Sequence, residues 1–364
     1  RSLTGTGGYV KVGRKGNAKW NFSETFTWSS PGFDLNDMGY MKETDYLMNE
    51  TEIMYRQTDI WKIFRYNAFT LSQKNMWNYG GTPFSNNASL RWQSMTMNRY
   101  EWDVKETFAW NWLDSRLLRG GPDVRFGSYF LTSAKFNTDK AKRMMFMLKY
   151  EGDHNFDGNR FNTISPSLTF RLGNHVYLSG QLDYAWNTDE MQYVATTSPL
   201  SSSSLAPYYY VMGHMDQKTY GLTLKLQVNV TPDISIQFYG APFTSIAKYD
   251  DFKLAADTKS HTFENRFQRI DPDQLTYADG VYTIGEGAGQ MPFRNPDFRF
   301  NEFRSNLVAR WEYLPGSTLY FVWEHRMSNR DNWYSSGWGS NLDRMWGLPA
   351  TNTFMIKMNY WFNL

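Results

Sequence analysis

The segment Asp153-His-Asn155-Phe-Asp157-Gly158 carries the residue types that could hold a cation. Asp and Asn oxygens at alternate positions can converge on calcium, and the glycine permits the sharp turn such a loop needs. An EF-hand loop places a bidentate glutamate at its twelfth position. Here that position is Ile164, and the flanking segments read as strands rather than helices. Asp153, Asn155 and Asp157 are the one candidate metal site, with calcium as the candidate ion. A plain polar turn is the competing reading.

Other candidate chemistry is sparse. His154, His175, His214, His261 and His325 form no pair at metal-ligand spacing. The serine run 201–204 lacks the G-x-S-x-G context of a nucleophile. Gly285-Glu-Gly-Ala-Gly289 follows no strand-to-helix transition, so it does not read as a phosphate cradle. Carboxylates between 245 and 300 could be imagined as a glycosidase pair, but sequence gives no separation for them. The absence of cysteine removes disulfides, thiolate sites and thiol nucleophiles. No catalytic constellation and no organic cofactor site emerge, so the chain reads as a non-enzyme.

Two carboxylates stand out for their setting. Glu24-Thr-Phe26-Thr-Trp28 and Glu106-Thr-Phe108-Ala-Trp110 repeat one another. Each glutamate falls mid-strand on the more apolar face. A carboxylate facing lipid is costly, though less so than Lys or Arg. Either the facing or depth differs from the pattern, or these strands face a protein partner or a plugged lumen.

The elements that position these residues are strands. Phe354, Ile356, Met358, Tyr360 and Phe362 alternate with Met355, Lys357, Asn359 and Trp361. Period-two alternation puts the two sets on opposite faces. Tyr220, Leu222, Leu224, Leu226, Val228 and Val230 alternate likewise with Gly221, Thr223, Lys225, Gln227 and Asn229. Such runs are about as long as a tilted strand needs to cross an apolar layer. About fifteen strands are predicted: 2–12, 18–28, 44–56, 62–74, 84–97, 100–110, 125–137, 142–152, 159–171, 175–196, 207–230, 234–244, 301–313, 317–327 and 352–362. Their connections alternate short and long, as in outer-membrane barrels with periplasmic turns and extracellular loops. The longer loops lie near 29–43, 111–124, 197–206, 245–300 and 328–351.

Composition agrees. Mean hydropathy is −0.61, and no apolar run is long enough for a membrane helix. A barrel averages out as hydrophilic because its strands alternate. The 15 Trp, 24 Tyr and 26 Phe suit membrane–water interfaces. A net charge of +2 gives no pull toward nucleic acid.

Several stretches carry a family resemblance. They are Pro31-Gly-Phe-Asp-Leu-Asn-Asp-Met-Gly39, Asp216-Gln-Lys-Thr219, Thr231-Pro-Asp-Ile-Ser-Ile-Gln-Phe-Tyr239 with Pro242-Phe243, and Asn295-Pro-Asp-Phe298. Phe303-Arg-Ser-Asn-Leu-Val-Ala-Arg-Trp-Glu-Tyr313 and Pro315-Gly-Ser-Thr-Leu-Tyr320 belong with them. Together they resemble the C-terminal barrel of a Bacteroidota outer-membrane family of unknown function. The resemblance implies a family-nine-like carbohydrate-binding domain upstream and further strands, and brings no catalytic residues.

The expected fold is all-β: a transmembrane antiparallel barrel with about fifteen strands here and an even total of sixteen or more. Residues 1–364 are then the C-terminal portion of one barrel in the outer membrane of a Gram-negative bacterium. The first strand runs inward, so at least one strand is expected upstream, against which 354–362 closes. Lys225, Gln227, Asn229, Arg304, Arg310, Glu312 and Lys357 are expected to face the lumen. The expected function is a transport pore or a scaffold subunit of an envelope complex, with a link to carbohydrate. A surface glycan-binding protein anchored by its barrel is the alternative. Expected partners are outer-membrane lipid and lipopolysaccharide, other outer-membrane proteins and glycans, and no nucleic acid. In the loops, Tyr249, Phe252, Phe263, Phe267 and Tyr277 near Arg266 and Arg269, and Trp333, Tyr334, Trp338 and Trp346 in the last one, suit sugar stacking or loop packing, with packing favoured.

Overall fold

The computed structural model describes residues 4–34, 41, 43–110, 112–200, 207–331 and 338–362. The first half contributes β1 (Gly7–Arg14), β2 (Trp20–Ser29), β3 (Tyr46–Gln57), β4 (Phe64–Trp77), β5 (Pro83–Thr96) and β6 (Glu101–Trp110). A small two-stranded sheet follows, β7 (Trp112–Asp114) with β8 (Val124–Phe126). Then come β9 (Tyr129–Asn137), β10 (Met144–Asn155), β11 (Arg160–Leu172), β12 (Val176–Thr197), β13 (Tyr209–Asn229) and β14 (Ile234–Ala255). The short β15 (Phe267–Arg269) pairs with the end of β14. A separate three-stranded sheet holds β16 (Leu275–Ala278), β17 (Val281–Ile284) and β18 (Met291–Arg294). The chain finishes with β19 (Phe298–Leu314), β20 (Ser317–Asp331), helix α1 (Trp338–Trp346) and β21 (Thr351–Asn359). No described helix is long and apolar enough to cross a membrane.

Fifteen strands form one antiparallel path in which each pairs with the next wall strand in sequence, from β1 to β21. Alternation within each strand is carried sideways by this register. Phe354 lies opposite Trp323, Trp323 opposite Leu307, Leu307 opposite Phe238, and Phe238 opposite Leu226. One face is therefore apolar along this row from β13 to β21. The apolar side chains have no protein cover: Leu71 and Leu90 are 55% and 57% exposed.

The register is staggered. Direct pairs lead from Phe22 through Ile53, Leu71, Leu90, Glu106, Thr132, Gly152, Asn162 and Trp186 to Lys218. Phe22 lies near one end of its strand, whereas Lys218 lies well inside β13. Strands so offset must tilt if they share a common axis, as barrel strands do.

Connections at one end of the sheet are tight: 15–19, 58–63, 97–100, 138–143, 173–175, 230–233 and 315–316. Local chemistry sets them. Thr231 Oγ1 accepts from the backbone N–H groups of Asp233 and Ile234, at 3.2 and 3.0 Å. Gly316 takes a φ of 78°, which a β-carbon would strain. The other end carries 30–45, 111–128, 198–208, 256–297 and 332–350, but also 78–82 and 156–159. The last two are as tight as the opposite turns, a correction to the expectation of long loops at every second connection.

β21 pairs only with β20, and every one of its residues is exposed. The described sheet is thus open between β1 and β21, and closure against a neighbour is not part of it. The final strand stops at Asn359, short of the expected 362. Trp361 N–H instead donates to Ser317 Oγ at 2.9 Å.

Candidate functional site

Two surfaces concentrate polar chemistry: the second face of the long sheet, and the folded structure at its loop end.

The second face is polar from β1 to β21. Register places Lys225 opposite Tyr239 and Tyr239 opposite Asn306. It places Asn229 opposite Ser235, Ser235 opposite Arg310, Arg310 opposite Tyr320, and Tyr320 opposite Lys357. All seven residues expected to face a lumen share this face. Their charges are paired along and between strands. Arg91 Nε donates to Asp103 at 2.7 Å, and Gln93 to the same carboxylate at 3.2 Å. Glu302 sits between Arg304 and Arg326, each at 2.9 Å. Ser165 Oγ and Gln181 Nε2 both donate to Asp183, at 2.6 and 2.9 Å. Paired charges with partial exposure suit a wet surface, where each pair adds little stability but keeps the face hydrophilic.

The loop end is a folded head. β12, β13 and β14 run on past the apolar belt and carry two buried clusters. Leu118, Val124, Met191, Met212 and Phe267 form one; Val211, Phe252, Leu254, Ile284 and Phe293 form the other. Segments 112–126 and 256–267 are tied together beside them. Arg125 N–H donates to Thr258 O at 2.9 Å, and Lys259 reaches Asp123 at 2.8 Å. Phe252, Phe263 and Phe267 pack here, so at these positions loop packing accounts for the aromatics. Trp346 on α1 packs on Phe303, ring centroids 4.9 Å apart. The serine run 201–204 and the last-loop aromatics Trp333 and Tyr334 lie outside the described residues.

Arg266 is the buried charge at the centre of the head, 2% exposed. Its Nη1 donates to Asp157 at 2.6 Å and to Arg125 O at 2.9 Å; Nε donates to Ser260 O at 2.8 Å. Asp157 also accepts from Gly127 N–H at 2.5 Å. Residues of the expected calcium loop are thus engaged within the protein. Asn155 Oδ1 accepts from the Asp157 N–H at 2.6 Å, closing the turn on itself. Asp153 sits within β10, on the polar face opposite Leu131 and Phe161. A guanidinium already supplies the positive charge that Asp157 faces, so the segment is a strut binding the 156–159 turn to the head. Among the described residues, no cluster of three or more His, Cys, Asp or Glu could hold a metal ion.

Where β12–β14 leave the belt, His214 lies 3.1 Å from Glu190 and 3.6 Å from Asp216. Burial acts to lower its pKa, but the bond to Glu190 and the charges of Glu190, Asp216 and Asp250 raise it above the ordinary value. Asp189 beside it is pushed up by burial. A cavity of about 780 Å³ opens at the same end between β4 and the β6–β9 connection, lined by Glu43, Asp45, Lys74, Trp112, Arg116 and Asp123. Its carboxylates are engaged: Glu43 with Arg116, Asp45 with Tyr79 N–H, and Asp123 with Lys259.

Glu24 and Glu106 lie on the apolar face, as their strand positions predict. Glu24 accepts from Asn49 Nδ2, and from Thr51 Oγ1 at 2.6 Å. Glu106 accepts from Thr132 Oγ1 at 2.7 Å. Register brings Glu24 beside Thr51 and Glu106 beside Thr132, which pairing alone decides.

Fold and surfaces define a class: an all-β protein built on one large antiparallel sheet, apolar on one face and polar on the other. The chain belongs to the family described as Domain of unknown function (DUF5916), matched over residues 2–364. No curated protein and no solved structure matches it.

Proposed function

We propose that the chain is the wall of an outer-membrane β-barrel of a Gram-negative bacterium of the Bacteroidota type, and that its polar face lines a transport pathway. The observation that carries this reading is the segregation of the two faces, with Phe22, Ile53, Leu71 and Leu90 in one apolar row and Leu226, Phe238, Leu307, Trp323 and Phe354 in another. In water, a sheet with one uncovered apolar face would aggregate or demand a second layer. In a bilayer the same face is solvated by acyl chains and the polar face encloses water. Aromatic rows at both margins support this reading. Trp20 and Tyr55 pack near the turn end, and Tyr184, Trp186 and Tyr220 near the loop end. The turn end is then periplasmic and the loop end extracellular. Fifteen antiparallel strands in series leave β1 and β21 running the same way, so antiparallel closure takes at least one further strand, for an even total of sixteen or more.

Planar-bilayer conductance of the full-length protein tests the proposal: discrete open-channel steps are expected. Silence from properly inserted protein, together with glycan binding at the loop end, would instead favour a glycan-binding protein anchored by its wall. The cavity beside Trp112 is the observation behind that second reading.

A further inference from the structure

The apolar belt is interrupted in one sector. On β2 to β6 its middle rows carry Glu24, Asn49, Gln73, Asn75, Asn86 and Glu106. These are neighbours by register: Glu24 is opposite Thr51, Thr51 opposite Gln73, Asn49 opposite Asn75, and Asn75 opposite Asn86. Glu106 lies on the next strand, in the row opposite Leu90. Apolar residues close the patch on both sides. Toward the turn end are Phe22, Ile53, Leu71 and Leu90, in one continuous row. Toward the loop end are Trp28 opposite Leu47, and Leu47 opposite Trp77. On the far wall the corresponding stretch, from Leu226 to Phe354, is unbroken and apolar.

We propose that this sector is a docking surface for a second, different integral outer-membrane protein, whose wall presents lysine, arginine or amide donors at the same depth. The inference rests on the outer-membrane reading above. Hydrocarbon offers no hydrogen bonds, so polar groups at that depth must find partners in protein. Glu24 accepts from Asn49 and Thr51, and Glu106 from Thr132, but no described cation neutralises either carboxylate. The side-chain amides of Gln73, Asn75 and Asn86 bond no described residue. Five polar side chains bracketed by apolar ones, with Glu106 at the edge, make a patch that lipid solvates poorly and a donor-bearing wall solvates well.

Charge selects the occupant. A second copy related by a two-fold axis along the membrane normal would set β2 against β6, bringing Glu24 against Glu106 in a medium where like charges repel strongly. Lipopolysaccharide meets this depth with acyl chains, which offer no donor. A basic or amide-bearing protein wall is the complement that remains.

Residues 1–364 hold no cysteine, so single-cysteine variants here give clean labelling sites once any cysteine elsewhere in the full-length protein is replaced. Thr51→Cys, Gln73→Cys and Ala88→Cys report on the patch; Leu226→Cys and Phe321→Cys report on the far wall. Each is labelled with a fluorophore quenched by spin-labelled acyl chains, in isolated outer membranes and after purification into liposomes. Positions 226 and 321 should be quenched in both. Positions 51, 73 and 88 should be shielded in the native membrane and quenched in liposomes. Glu24→Gln with Glu106→Gln should abolish the shielding. Equal quenching everywhere in native membranes overturns the docking surface while leaving the membrane reading intact. Shielding that persists in liposomes of the pure protein overturns the different partner in favour of a second copy. No quenching at 226 and 321 overturns the membrane reading itself.

Discussion

The wall and the head obey opposite rules. In the wall, Leu226, Phe238 and Leu307 point outward and Lys225, Gln227 and Arg310 line the other face. In the head, Met191, Val211, Met212 and Val124 are fully buried and the charges lie around them. The three longest strands carry both patterns in sequence: β12, β13 and β14 are sided in their lower halves and core-forming in their upper halves. The change falls at the β-bulges near Asp189 and Met212. A bulge re-aims the side chains that follow it, so one strand can serve two environments. The wall keeps its apolar atoms at a surface, whereas the head must make its own dry interior. Their stabilities should therefore respond to different substitutions.

The sharpest way to break this comparison is Arg266→Ala. It strands Asp157 in a buried site, which costs about 3–5 kcal/mol when one partner of a buried pair is removed. Hydrogen exchange should show 256–297 opening while the wall strands stay protected. If the wall opens with the head, the two regions are one cooperative unit and the distinction fails. Leu226→Arg tests the wall from the other side. On the membrane reading proposed above, a cation at mid-depth on a lipid face costs about 2–4 kcal/mol, and unfolding from lipid should show it. Gln227→Arg, one residue along and on the polar face, should cost little. Equal costs would remove the sidedness of the wall. Ser72→Ala deletes the polar-face bond to Ser89, 2.6 Å long, and should cost about 1 kcal/mol in the same assay.

The smallest effect is expected from pH. The raised pKa of His214 means that the folded head binds its proton more tightly than the unfolded chain does. Its contribution is complete below the ordinary histidine value of 6.5 and is lost as pH rises through the folded value. Asp189, also raised, acts in the same direction over the lower window that begins at 3.8. Exchange in the upper parts of β12–β14 should therefore speed up as pH rises, after correction for intrinsic exchange. His214→Gln should flatten the upper part of that profile; an unchanged slope would remove His214 from it.

Much of the wall was legible because its signal is local. Fifteen strands were expected and fifteen form the path, with most ends within a few residues. β14 is the main departure, running to Ala255 where alternation suggested 244. Past Phe243 its sequence mixes Ser245, Lys248, Asp250 and Asp251 with Ile246 and Phe252, because that part belongs to the head. The β16–β18 sheet and α1 were hidden inside long connections for the same reason. Glu24 and Glu106 were visible as anomalies, but Asn75 and Asn86 became meaningful only once register set them side by side.

The sequence by itself determined which residues share a face and in what order the strands follow. A period of two needs only neighbouring residues, and a hairpin fixes its own partner. Tertiary structure alone decided that Asp157 answers to Arg266, that loop aromatics form a core, and that scattered polar residues gather into one patch on the apolar wall. Those contacts join residues far apart in the chain, and no local periodicity records them. The calcium expectation meets the same boundary: the spacing of Asp153, Asn155 and Asp157 was legible, but Arg266, which pairs with Asp157, lies more than a hundred residues away.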